Sequence, residues 1–225
     1  MKSAEELKRL ERSLEITEKA CKKAMESIRE GVTELEIHQV FRRTIAEEDA
    51  VPVIDSVGAG SHSGFPHVRA GDYKVRKGDL IRFDIGCICN YYHSDTARNA
   101  VVGEPNGKQR TYYQAIKAGA DRALELVRPG ARASEIFEEA VKRVREAGIP
   151  HFRRTHVGHG IGIECYDPPF LSPISDHILE EGMVVNIETP YYEMGFGGLA
   201  VEDTLVVTKD GYRLLTKAKC DVFVL

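Results

Sequence analysis

Apolar residues recur at helical spacing from the start of the chain: Leu7, Leu10, Leu14, Thr17, Cys21, Ala24 and Ile28 fall on one stripe. Ser3-x-x-Glu6 just upstream has the form of a capping box, so the pattern predicts one long helix, ended by Gly31. Thr33-x-x-Glu36 opens a second helix that reaches about Ala46. A third is predicted from roughly Lys108 to Val127, with Ile116, Ala120, Leu124 and Val127 facing inward, and Pro129-Gly130 stops it. Ser134 or a neighbour starts a fourth, whose apolar positions are Ile136, Phe137, Ala140, Val141 and Val144. Arg29–Leu35 and Arg128–Ser134 therefore play the same part, as glycine-marked turns 99 residues apart.

After each helix pair the period changes from helix to strand. Gly78 is followed by a β-rich run ending in Asp84, and Gly182 by one ending in Glu188, each carboxylate six residues after its glycine. A second acid follows in both cases, Asp95 eleven residues beyond Asp84 and Glu202 fourteen beyond Glu188. The interval midpoints, near Cys89–Asn90 and on Gly195, suit chain reversals, so two hairpins are predicted, each bringing two acids together. With period two, Leu80, Arg82 and Asp84 share one strand face, as do Val184, Asn186 and Glu188. Ile81, Phe83, Ile85, Val185 and Ile187 then pack against helices. Asp84 and Glu188 lie 104 residues apart, close to the helix-turn repeat. The fold class is thus α+β, a pseudo-twofold duplication of helix-helix-hairpin halves around a central antiparallel sheet, expected as one domain over residues 1–225.

That duplication gathers Asp84, Asp95, Glu188 and Glu202. Carboxylates usually pair with arginines, and for any one of these acids that reading would prevail. Four at matched places in two repeats favour a metal centre, because mutual repulsion would otherwise force protonation. His159, in Gly158-His159-Gly160-Ile161-Gly162, is the candidate fifth ligand; its flanking glycines permit tight backbone geometry around the ring. Carboxylates with one imidazole suit manganese, iron, cobalt or zinc better than an all-oxygen magnesium or calcium site.

Composition narrows the alternatives. A chain of 225 residues, 42% hydrophobic, suits one domain with a substantial core. A net charge of −4 gives no electrostatic footprint for nucleic acid. No apolar run approaches the roughly 18 residues of a membrane span. Lys2-Ser3-Ala4-Glu5-Glu6 lacks the apolar core of a signal peptide, so a cytoplasmic location is expected. The five cysteines show no disulfide framework, and Cys87-x-Cys89 reads as an ordinary strand pair.

The set Asp84, Asp95, His159, Glu188 and Glu202, within Phe83-Asp84-Ile85-Gly86, Ser94-Asp95-Thr96, Gly158–Gly162 and Val201-Glu202-Asp203-Thr204, resembles the pita-bread metallopeptidases. These comprise methionine aminopeptidases, aminopeptidase P and prolidase, with creatinase as a metal-free relative. The resemblance runs from Lys2 to about Thr208 and is closest to the aminopeptidase P and prolidase branch. It implies the pita-bread fold and two divalent ions (Mn, Co, Fe or Zn), with Asp95 and Glu202 bridging, Asp84 on one ion, and His159 and Glu188 on the other. It further implies hydrolysis of the N-terminal bond of a small peptide substrate, with Xaa-Pro preferred, through a hydroxide held by the ions. Glu188 would also carry the proton to the leaving nitrogen, His67 in Gly64-Phe65-Pro66-His67 would contact substrate, and the protein would be a homodimer.

Three positions depart from that family. Tyr166 stands where a second substrate-contacting histidine is usual, seven residues after His159. A phenol can donate a hydrogen bond but cannot become cationic as imidazole does. Ala200 replaces the arginine that prolidases often carry two residues before the last glutamate. Met1 falls where the catalytic domain begins, so the family's N-terminal domain is expected to be absent. His156 and His93 lie near the ligands, and His156 is a candidate substrate contact beside Tyr166. Pro190–Tyr192 with Gly195–Gly198 is predicted to form a hairpin that can wall the pocket, and Arg153-Arg154 is too short to be a basic patch. Two other readings stand beside the peptidase: a hydrolase or lyase of a small non-peptide metabolite, motivated by Tyr166 and Ala200, and a non-catalytic binding module, which the complete ligand set ranks last.

Overall fold

The computed structural model describes all residues from Met1 to Leu225. Helix α1 (Ala4–Glu26) begins at the expected capping box, with the Ser3 N–H donating to Glu6 Oε2 at 2.8 Å. It ends sooner than Gly31. The Ser27 hydroxyl donates back to the Ala24 carbonyl at 2.7 Å, and the Ser27 N–H also points into the last turn, so serine closes the helix itself. Helix α2 (Glu34–Ala46) starts at the Thr33 cap. Strands β1 (Val51–Ala59), β2 (Leu80–Cys89), β3 (Tyr92–His93) and β4 (Thr96–Val101) complete the first half. The reversal after β2 falls on Asn90 and Tyr91, both at positive φ, where the midpoint of the acid pair placed it.

The second half repeats the plan. Helix α3 (Gly107–Leu126) opens on a box formed by Asn106 and Gln109, and α4 (Ala133–Ala147) follows. Strands β5 (Gly158–Gly160), β6 (Asp167–Phe170), β7 (Val184–Glu188), β8 (Tyr191–Glu193), β9 (Gly197–Leu199) and β10 (Glu202–Thr208) come next, then β11 (Gly211–Leu214) and β12 (Val222–Val224). The main sheet runs β1-β2-β4-β10-β7-β5-β6, while β8 and β9 pair apart as the expected hairpin, turning at Gly195.

Equivalent backbone bonds recur in both halves. Gly31 N–H donates to Val75 O at 2.8 Å, and Gly130 N–H to Leu179 O at 2.9 Å. Gly78 N–H reaches Val102 O at 2.7 Å, and Gly182 N–H reaches Val207 O at 2.9 Å. All four glycines have φ between 80° and 90°, the left-handed region in which a side chain is strained. The two halves meet where β4 and β10 touch, at the single pair Ala97–Glu202.

The core follows strand parity. Ile81, Phe83 and Ile85 are wholly buried in a cluster with α1 and α2 residues such as Ala20, Phe41 and Ile45. Val185 and Ile187 do the same beneath α3 and α4, beside Ile116, Ala120 and Val144. Each fully buried side chain of this size contributes about 1.5–3 kcal/mol. The opposite strand face is left to the acids. All five cysteines are free, and no helix is long and apolar enough to cross a membrane.

Candidate metal centre and cleft

Register decides how the acids meet. Glu188 on β7 and Glu202 on β10 are direct cross-strand partners, so their side chains leave the sheet on the same face. In the first half Asp84 pairs with Ala97, so Asp95, two residues earlier, lies diagonally across from Asp84. Gly86 makes that possible. A Cβ there would stand 2.0 Å from the Ser94 carbonyl oxygen, where the chain leading into Asp95 crosses β2. His159 comes from β5, opposite Asn186 of β7. Its flanking glycines have steric reasons: a Cβ on Gly158 would meet the Asn186 oxygen at 2.1 Å, and one on Gly160 the Pro168 oxygen at 2.4 Å.

Asp95, His159 and Glu202 are each at most 5% exposed, and one ligand atom from each lies within 4.8 Å of the others. His159 Nδ1 is 3.0 Å from the Gly160 carbonyl oxygen. A carbonyl only accepts, so Nδ1 carries the proton and Nε2 presents a lone pair to the cluster. Nε2 is buried with no hydrogen-bond partner and stands 3.7 Å from Asp95 Oδ2. Burial also holds the imidazole pKa below its ordinary value, which keeps the ring neutral and able to ligate. Asp95 Oδ1 is likewise buried and unpaired. Burial first, and then the neighbouring carboxylates, raise the pKa values of Asp95 and Glu202 well above the usual range. Orphaned acceptors, a neutral histidine with a free lone pair and crowded carboxylates together fit a divalent cation.

Pairing with arginine does hold for the other two acids. Arg82, on the same strand face as Asp84, donates from Nη1 to Asp84 Oδ2 at 2.9 Å. Arg154 donates from Nη2 to Glu188 Oε2 at 3.0 Å, and His156 Nε2 stands 2.7 Å from Glu188 Oε1, off the direction of a good hydrogen bond. Burial pushes the Glu188 pKa up, but His156, Arg154 and His159 outweigh it, so the carboxyl lies below its ordinary value.

Asp84, Glu188 and Glu202 open onto a cleft of about 160 Å³ that His67, His156 and Tyr166 also line. A larger hollow of about 550 Å³ between α1 and the C-terminal segment contains none of these acids; the chemistry converges on the smaller space. Tyr166 lies flat against His159, and burial with the nearby acids raises its phenol pKa, so it stays protonated. Ala200 forms part of the cleft wall, its backbone gripped at both ends by the Asn99 side chain. His93 lies outside the cleft, its backbone N–H bonded to Gly162 O.

Three further side chains, to which the sequence pattern assigned no role, support the acids. Arg82 is wholly buried; besides Asp84 it donates to the Ser63 and Phe65 carbonyls at 3.2 and 3.0 Å, and it faces the Tyr192 ring at 5.0 Å. It thereby ties Asp84 to the loop that carries His67. Its placement on the Asp84 face was the available signal. Asn186 donates to Glu202 Oε1 at 3.0 Å and was marked by the same parity. Arg154 reaches Glu188 across 34 positions of sequence, for which no local signal exists.

Comparison with known proteins agrees with this geometry. The chain is 35% identical to the Xaa-Pro dipeptidase of Pyrococcus furiosus, over 97% of this chain and 64% of that protein. The prolidase structure from Pyrococcus horikoshii OT3 superposes with a TM-score of 0.95 at 34% identity, covering 99% of this chain and 65% of that one. The X-Pro aminopeptidase structure from Thermotoga maritima MSB8 gives a TM-score of 0.94 at 30% identity, over 100% and 64%. The chain thus spans a little under two thirds of the length of these proteins, and its fold is the pita-bread fold that they share. Residues 8–209 match the profile of metallopeptidase family M24, and the chain belongs to that family.

Proposed function

We propose that this chain is the catalytic domain of a metal-dependent exopeptidase that hydrolyses the N-terminal bond of small peptides, with Xaa-Pro bonds preferred. The observation that carries the proposal is the convergence of Asp95, His159 and Glu202 ligand atoms within 4.8 Å, beside a cleft that Asp84 and Glu188 also reach. The dipeptidase, prolidase and aminopeptidase names of its relatives support the substrate class.

Asp84, Asp95, His159, Glu188 and Glu202 are the residues that would hold two divalent ions from the group Mn, Co, Fe and Zn. When bound, such ions supply Lewis acidity toward a carbonyl oxygen and lower the pKa of water. The other steps belong to the chain. Glu188, kept ionised by Arg154 and His156, is the group to take a proton and pass it to the leaving nitrogen. Tyr166 and His67 are the side chains that present donors to the substrate. His156, expected to touch substrate, has its closest partner in Glu188 and is proposed to orient that carboxylate as well.

Replacing Asp95 by Ala tests the reading: turnover of Xaa-Pro peptides is expected to vanish together with bound metal, and an Asp95→Ala protein with full turnover overturns it. Tyr166 and Ala200 favour one second reading, a hydrolase or lyase of a small non-peptide metabolite on the same centre. Rapid cleavage of Xaa-Pro peptides argues that reading down. The homodimer expected from the resemblance is tested by sedimentation of the purified protein.

A further inference from the structure

The cleft does not close at Tyr192. Past Arg154, Pro190 and Tyr192 it continues into an open groove of about 670 Å³ that His151 and Arg153 also border. Five consecutive residues, 190–194, line this groove. Three of them, Tyr191–Glu193, form β8, so side chains from both faces of that strand border the groove. β8 pairs with β9 alone, so its other edge carries unpaired backbone donors and acceptors, the feature that an added peptide strand uses.

The charge of the groove is lopsided in a chain of net charge −4. Its one acid, Glu193, is already held by Lys108 and accepts from the Tyr191 hydroxyl at 2.9 Å. Arg153 is exposed and makes no ion pair or side-chain hydrogen bond. Arg154 gives one nitrogen to Glu188 and keeps a buried Nε without a partner. The groove meets the cleft at Pro190 and at Arg154, which donates to Glu188; because Glu188 is the group proposed to protonate the leaving nitrogen, the groove is assigned to the side of the departing fragment.

We infer that this groove is a subsite for the leaving side of an extended peptide laid along β8, with Arg153 and Arg154 binding a carboxylate on that fragment. The inference rests on the exopeptidase reading and deepens it: the substrates are peptides longer than two residues with a carboxylate beyond the leaving proline. That carboxylate is either the C-terminus or an acidic side chain.

The test compares Ala-Pro-Gly as free acid, Ala-Pro-Gly amide and Ala-Pro-Glu amide on the metal-loaded protein and on its Arg153→Ser variant. Both carboxylate-bearing peptides, or one of them, should exceed Ala-Pro-Gly amide in kcat/KM by about two- to fivefold, mostly through KM, as one exposed ion pair allows. Preference for the free acid alone assigns the C-terminus, and preference for the Glu amide alone assigns the side chain. In Arg153→Ser the ratio should fall toward one, and in wild type it should shrink with added salt. Cleavage of all three peptides at equal kcat/KM overturns the subsite while leaving the exopeptidase reading intact. If none is cleaved, the exopeptidase reading fails, and calorimetric titration with Pro-Gly free acid, Pro-Glu amide and Pro-Gly amide decides the subsite: tighter binding of either carboxylate-bearing peptide than of Pro-Gly amide, lost in Arg153→Ser, supports it, and equal dissociation constants for all three overturn it.

Discussion

The ring of Tyr166 lies against that of His159, centroids 4.0 Å apart and planes 28° from parallel. The phenol that departs from the family pattern thus covers the proposed imidazole ligand and lines the cleft at the same time. Two roles follow, and two substitutions separate them. Tyr166→Phe keeps the stacked ring and removes the donor; kcat is expected to fall about 10²-fold, the scale of losing one oxyanion donor, with metal content unchanged. Tyr166→Ala should also loosen His159 and weaken metal affinity. Steady-state kinetics with metal analysis checks both, and full kcat in Tyr166→Phe would remove the hydroxyl from the mechanism.

Metal removal has a pH signature of known sign. In the metal-free protein the pKa values of Asp95 and Glu202 are raised, by burial first and then by the neighbouring carboxylates. The folded state then binds protons more tightly than the unfolded chain. Stability contributed by these groups is present below the ordinary carboxylate values of 3.8 and 4.5 and is lost as pH rises through their folded values. Glu188, with its pKa lowered, opposes this by losing stability as pH falls below 4.5. With two raised acids against one lowered, the Tm gained on adding Mn²⁺ to chelated protein should grow from pH 5 to pH 7, as calorimetry would show. A gain that shrinks over that range contradicts the site.

Arg82 should behave as a buried, fully engaged cation. Arg82→Met leaves Asp84 without its partner and the Ser63 and Phe65 carbonyls without donors. A loss of about 3–5 kcal/mol is expected from breaking such a pair one-sidedly, measurable by urea denaturation. Arg82→Lys should recover only part, because one ammonium cannot replace the planar fork that reaches both carbonyls and the acid. A loss below about 1 kcal/mol for Arg82→Met would show the loop and Asp84 to be held by other contacts.

Gly86 offers a purely steric test. Its missing Cβ makes room for the Ser94 carbonyl, and backbone there cannot swing aside as a side chain would. Gly86→Ala is expected to cost about 3 kcal/mol or more, at the upper end of overpacking penalties, and to displace Asp95. Denaturation and metal titration of that variant should fail together. A variant of wild-type stability would mean that β2 and the Asp95 segment can part without cost.

Much of this architecture is readable from the chain because it rests on local chemistry. Ser3, Thr33 and the apolar stripes mark the first two helices, and the paired glycines with their acids expose the duplication that places Glu188 opposite Glu202. The end of α1 was misread because Ser27 caps it through its own hydroxyl, a contact that leaves no glycine in the pattern. The four candidate acids were legible since they sit at matched places in the two repeats, and His159 because glycines flank it. The counter-charges were not: Arg154 meets Glu188 only after α4 packs and β5 pairs with β7, and nothing near position 154 announces a partner at 188. The short strand β6 escaped for the same reason, being defined by what it pairs with.

The most direct test of the account is hydrolysis of Xaa-Pro dipeptides and tripeptides beside Met-Ala peptides, with Mn²⁺, Co²⁺ or EDTA. The account predicts release of the residue before proline that EDTA abolishes and Mn²⁺ or Co²⁺ restores, with Met-Ala peptides cleaved more slowly. Protein shown to hold two metal ions that leaves every peptide intact would contradict it.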